Sequence, residues 1–120
     1  EPWENEPDRL EADYKGLKLL ILRNERLGHL CGYVGVPEGH PFYGKDLEQL
    51  ADLDVHGGVT FAEEGDGKLR PKGFWWIGFD CAHFGDLVPK MRSLGWEVYR
   101  DIYYVLKETV KLADQIIGRM

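Results

Sequence analysis

From Val98 to Ile117 the side chains of Tyr99, Ile102, Tyr103, Leu106, Val110, Ala113 and Ile117 recur at spacings of three and four, the period that lines one face of an α-helix. Gly118 is a natural stop for it. A helix of this kind draws its stability from an apolar surface that it covers. The remainder of the chain must build that surface, and it does so with runs of strand length. Leu17, Lys18, Leu19, Leu20, Ile21, Leu22 and Arg23 form one run, and a matching run extends from His29 to Val36. Asn24, Glu25, Arg26, Leu27 and Gly28 between them supply turn chemistry, which predicts a hairpin.

A second hairpin is expected further on. In Val55 to Ala62 the odd positions Val55, Val59 and Phe61 are apolar, while His56, Gly58 and Thr60 are polar or bare. In Phe74 to Cys81 the odd positions Trp75, Ile77, Phe79 and Cys81 are apolar, with Phe74, Trp76, Gly78 and Asp80 between them. Antiparallel pairing with Ala62 opposite Phe74 sets Thr60 against Trp76 and His56 against Asp80, on the face away from the core. The expected fold is α+β: a small antiparallel sheet of two hairpins with the long C-terminal helix packed on one face. Residues 1–15, rich in acids, read as a loosely held arm, and residues 16–120 as a single domain. Two shorter helices are expected, one from Asp46 to Leu53 behind an Asp46/Gln49 capping box with Leu47, Leu50 and Ala51 as its stripe, and one from Asp86 to Leu94 interrupted by Pro89. The prolines and glycines from Pro37 to Gly44 predict an ordered loop.

Charge narrows the partners. Fifteen Lys and Arg stand against 21 Asp and Glu, a net charge of -6, which argues against direct nucleic-acid binding through the phosphate backbone. No apolar run approaches the ~18 residues of a membrane span. The opening residues Glu1, Pro2, Trp3, Glu4, Asn5 and Glu6 are acidic where a secretory signal is basic and then apolar, so a cytoplasmic location is expected, with Cys31 and Cys81 as free thiols.

All four histidines, His29, His40, His56 and His83, lie in the middle of the chain beside glycine, cysteine, proline or aspartate. Their company is distinctive: Cys31-Gly32-Tyr33-Val34-Gly35-Val36-Pro37, Gly39-His40-Pro41, Asp54-Val55-His56-Gly57-Gly58 with Thr60-Phe61, and Trp75-Trp76 with Gly78-Phe79-Asp80-Cys81-Ala82-His83 and Gly85-Asp86. This ordered series, which runs from about Gly16 to the C-terminal helix and includes Tyr99-Arg100-Asp101, resembles a family of short uncharacterised proteins of bacteria and their phages. The resemblance brings no activity with it; its phage setting suggests, by association, host–phage conflict.

His40, His56, Asp80, Cys81, His83 and Asp86 are all metal-ligand types, yet their spacing matches no zinc signature and no Cys-x-x-Cys is present. The expectation is therefore no metal and no cofactor, with Asp80 and Asp86 capping the loop and orienting His56 and His83. Cys81 falls on the apolar phase of its strand, where a thiol is inert, and Cys31 alternates with His29 and Tyr33. Ser93 is the only serine and no Gly-x-Ser-x-Gly elbow exists. Gly57-Gly58 opens no helix, so no phosphate loop is present, although a nucleotide stacked on Trp76 or Tyr33 could meet Arg23 or Arg100 through its phosphates. The preferred reading is a protein that binds a small polar, nucleotide-like molecule in one pocket lined by His40, His56, Thr60, Trp76, Asp80, His83 and Asp86. In a phage this would be a signal-sequestering counter-defence protein. The rivals are a metal-dependent hydrolase using the same residues, an Asp–His acid–base site, and an acidic protein–protein interaction module.

Overall fold

A computed structural model describes residues 1–119. Five strands, β1 (Arg9–Tyr14), β2 (Leu17–Arg23), β3 (Leu30–Pro37), β4 (Phe61–Glu64) and β5 (Phe74–Asp80), form one sheet in the order β1-β2-β3-β5-β4. Every neighbouring pair is antiparallel. The helix α1 (Ile102–Gly118) lies across β2 and β3, giving the small α+β fold that the pattern predicts. Asp101 caps it, its carboxylate accepting from the Tyr104 N–H at 2.8 Å.

The buried face of α1 consists of Ile102, Val105, Thr109, Leu112, Ala113 and Ile116, rotated from the stripe read in the sequence. Leu106, Val110 and Ile117 flank the core, and Tyr103 is 79% exposed. Opposite them the sheet presents Leu17, Leu19, Ile21, Leu30, Val34, Val36, Ile77 and Phe79. The first hairpin pairs as expected, from Lys18 with Gly35 to Arg23 with Leu30.

The other face of the sheet is covered too. Leu20, Leu22, Cys31, Tyr33 and Trp76 are buried there, with Phe61 and Phe74 packed against them, under the loop that joins β4 to β5. Trp76 donates its indole N–H to the Pro71 carbonyl at 2.9 Å. The Arg70 guanidinium lies over Phe61 and Tyr33, 4.3 and 5.2 Å from their ring centres. Trp76 is 2% exposed and therefore packs the core of this second face; it is no open platform for a ligand.

The second hairpin departs from the expected register. β4 is confined to Phe61–Glu64 and pairs Phe61 with Gly78 and Ala62 with Ile77, so Phe61 shares a face with Trp76 and not with Ile77. The residues from Val55 to Thr60 are not a strand. Val55 to Gly58 closes a turn through a Gly58 N–H to Val55 carbonyl bond of 2.8 Å. His56 is thereby released from the sheet, and it does not face Asp80.

The acidic arm is also more ordered than its composition predicts. β1 pairs along its length with β2, from Arg9 with Leu22 to Tyr14 with Leu17. An edge strand is held by backbone bonds and needs little buried side-chain area. Glu6 then ties the N-terminus down, accepting from the Tyr99 hydroxyl at 2.6 Å and from the Ile102 N–H at 2.8 Å. Asp46 and Gln49 make the reciprocal capping bonds at 2.9 and 3.0 Å, but the segment continues as turns and not as a helix. The segment after Asp86 is likewise irregular, its start bridged to Val98. Among the described residues no helix is long and apolar enough to cross a membrane.

Candidate functional site

Asp86 organises the polar centre of the molecule. Its side chain has no exposed surface, a position that a carboxylate tolerates only when fully hydrogen-bonded. His56 Nε2 meets Oδ2 at 2.7 Å, the His83 N–H donates to the same oxygen at 3.0 Å, and Arg100 Nε donates to Oδ1 at 2.9 Å. Burial raises the Asp86 carboxyl pKa, but the bonds from His56, Arg100 and the His83 amide more than offset this and hold it below the usual aspartate value.

His56 and His83 are set by their outer nitrogens. His56 Nδ1 lies 2.7 Å from the Tyr104 hydroxyl, and its backbone N–H donates to Glu108 at 2.9 Å. With Nε2–H directed at a carboxylate, the neutral ring accepts at Nδ1 from Tyr104. Arg100 also lies over the Tyr104 ring, 4.9 Å from its centre. His83 Nδ1 is 3.0 Å from the Asp80 carbonyl, which fixes Nδ1 as the N–H and leaves Nε2 with the lone pair. Gly57, at φ +69°, permits the approach of the two histidines, because a Cβ there would stand 2.4 Å from the His83 ring. One ligand atom each from His56, His83 and Asp86 lies within 4.8 Å of the others.

Of the residues singled out in the sequence, His56, His83, Asp86 and Arg100 meet here. Asp80 borders the group: it accepts from the Thr60 hydroxyl at 3.0 Å and from the Ala82 N–H at 3.0 Å, and its Oδ1 lies 3.3 Å from His83 Nδ1, so its partners are Thr60, Ala82 and His83. His40 is elsewhere, beyond the end of β3 where Pro37 pairs with Phe74, and its Nδ1 accepts from the Phe42 N–H at 3.0 Å. The single pocket expected from the sequence is thus divided. Tyr104 and Glu108 were not anticipated; their placement one helical turn apart, behind Asp101, was the available signal.

Tyr33 and Arg23 belong to a second place, a cleft of about 740 Å³ on the sheet face away from α1. Leu22, Cys31, Tyr33 and Leu69 contribute apolar surface, and five basic residues, Arg9, Arg23, Arg26, Arg70 and Lys90, line it against two acids, Asp8 and Glu25. Arg23 is braced by Asp8 at 2.8 Å, by the Tyr99 hydroxyl at 2.9 Å and by the Gly28 carbonyl at 2.8 Å. Arg70 Nε is buried without an acceptor. Burial pushes the thiol of Cys31 up to about 11, and Cys81 is raised by the same cause; neither is a ready thiolate at neutral pH.

No family model matches this chain, and no curated protein or solved structure matches it.

Proposed function

We propose that the protein binds a small anionic, nucleotide-like molecule in the cleft lined by Arg23, Tyr33 and Arg70. The observation that carries the reading is local charge: five cationic side chains and two acids surround the cleft, in a chain whose net charge is -6. Three of the five are paired with carboxylates, Arg9 with Glu11, Arg23 with Glu6 and Asp8, and Arg70 with Asp66, and Arg26 and Lys90 add the positive charge that draws an anion to the cleft. At its wall Leu69, 48% exposed, offers apolar contact to a base or comparable ring, over a floor closed by the buried Leu22, Cys31 and Tyr33. The buried Arg70 N–H without an acceptor is a donor that a phosphate oxygen would satisfy.

This role is one of binding without turnover. Titration calorimetry with a panel of nucleoside mono-, di- and triphosphates should show at least one bound at a single site, more weakly at higher salt. It should be recovered unchanged after the complex is denatured. Arg70→Ala should weaken binding about tenfold or more, the loss of one charge-assisted hydrogen bond. Folded wild-type protein that takes up neither any nucleotide of the panel nor inorganic phosphate would refute the proposal.

A further inference from the structure

We infer that His56, His83 and Asp86 form a binding site for a first-row divalent cation, zinc being the chemistry that fits best. Two imidazole nitrogens and one carboxylate oxygen are a donor set suited to this class of ion, and three protein ligands leave a coordination position for water or substrate.

The geometry supports this in three ways. First, the three ligand atoms converge to within 4.8 Å, and the closest pair, His56 Nε2 and Asp86 Oδ2, is at 2.7 Å. Ligand atoms about 2.0–2.2 Å from a tetrahedral ion stand roughly 3.3–3.5 Å apart, a separation that the observed spread brackets. An ion therefore opens the His56–Asp86 pair by roughly 0.6–0.8 Å as it takes the place of the proton between them, and His83, whose side chain is 34% exposed against 13% for His56 and none for Asp86, has the most room to complete the set.

Second, each ligand is held from behind. His83 Nδ1 is fixed by the Asp80 carbonyl, His56 Nδ1 by the Tyr104 hydroxyl, and Asp86 Oδ1 by Arg100. Such outer partners orient metal-binding histidines and carboxylates and set the ring tautomer. The Tyr104 hydroxyl can both donate and accept. It therefore accommodates the change that cation binding requires: the His56 proton moves from Nε2 to Nδ1, the hydroxyl turns from donor to acceptor, and the ring stays neutral.

Third, the surroundings favour positive charge. Asp80, Asp86 and Glu108 border the group, while Arg100 and Lys111 are the cations paired with them, Lys111 lying 3.4 Å from Glu108. Three carboxylates against two cations leave one net negative charge beside the ligands before the ion binds, which offsets half the charge of a divalent cation. This site is separate from the basic cleft and its test does not depend on what that cleft binds.

Chelator-treated wild-type protein should take up one equivalent of Zn²⁺ and retain it through gel filtration, and Co²⁺ in its place should give the visible absorption of a four- or five-coordinate ion. His83→Ala removes a half-buried ring and should weaken zinc binding at least a hundredfold while circular dichroism shows the fold intact. His40→Ala, at the far end of the sheet, should bind as wild type. Folded wild-type protein that binds no zinc, or zinc uptake that is unchanged in His83→Ala, would overturn the inference.

Discussion

Replacing Asp86 by alanine should cost about 3–5 kcal/mol of folding stability at neutral pH, the range for removing one partner of a buried ion pair. The carboxylate accepts from His56, Arg100 and the His83 amide and has no exposed surface. Its removal strands three donors at once, in a place where their own burial limits replacement by water. Asp86→Asn should be milder and still clearly destabilising. Each carboxylate oxygen receives an N–H, so an amide NH₂ in either position faces a donor.

The pH dependence follows from the direction of the shift. The Asp86 carboxyl is held below the ordinary aspartate value of 3.8, the value it takes in the unfolded chain. Its contribution is therefore complete above the unfolded value and is lost as pH falls through that value towards the lower native one. Urea unfolding followed from pH 7 down to pH 3 should show the wild type losing stability on the acid side more steeply than Asp86→Asn. A cost below about 1 kcal/mol for Asp86→Ala, or identical acid slopes, would mean that this carboxylate does not organise the centre.

What could be read in advance was what depends on local pattern. The hairpin of β2 and β3 was legible because two uniform apolar runs flank a turn, and the reading needed no choice of face. The existence of α1 was legible for the same reason, whereas its orientation was not. Tyr103 counts as apolar in a periodicity argument, yet it is exposed, and Thr109, polar in the same argument, is fully buried because its hydroxyl donates to the Val105 carbonyl at 2.7 Å. In β5 the alternation misled. Both faces of this sheet are covered, one by α1 and the other by the loop carrying Arg70 and Pro71, so Trp76 and Ile77 are both buried and neither phase marks a solvent face.

The site was legible residue by residue but not as an arrangement. His56, His83 and Asp86 stood out through residue type and glycine neighbours, and Arg100 as a cation for a phosphate. Their meeting depends on the turn at Val55 to Gly58, which removes His56 from strand register, and on the distant N-terminal turn of α1, which brings Tyr104 to it. The basic cleft depended wholly on tertiary placement. Arg9 comes from β1, Arg23 from the end of β2, Arg70 from the β4–β5 loop and Lys90 from the segment before α1, and no spacing rule connects them.

The seating of α1 on the sheet rests on a glycine, and substitution there should be clearly destabilising, though less so than the loss of Asp86. Gly32 of β3 lies between Ile21 and Phe79 in register, directly beneath the helix. A Cβ at this position would stand 2.3 Å from Thr109 Oγ1 and 2.6 Å from the Phe79 ring, distances that real contacts do not reach. Neither neighbour can yield cheaply, because Thr109 is fully buried with its hydroxyl bonded back to Val105, and Phe79 is 1% exposed. Gly32→Ala should therefore cost about 1–3 kcal/mol, the usual penalty of overpacking, and Gly32→Val more. Combining Gly32→Ala with Thr109→Ala should restore only part of the loss, because the Phe79 ring still occupies the space; the two changes should be non-additive, as contacting residues are. Urea unfolding of the two single variants and the double variant supplies the cycle. A Gly32→Ala protein as stable as the wild type would show that helix and sheet do not meet so closely. A helix displaced at Thr109 also moves Tyr104, little more than one turn away, and through it the anchor of His56. Stability of the core and geometry of the polar centre are thus coupled through one face of α1.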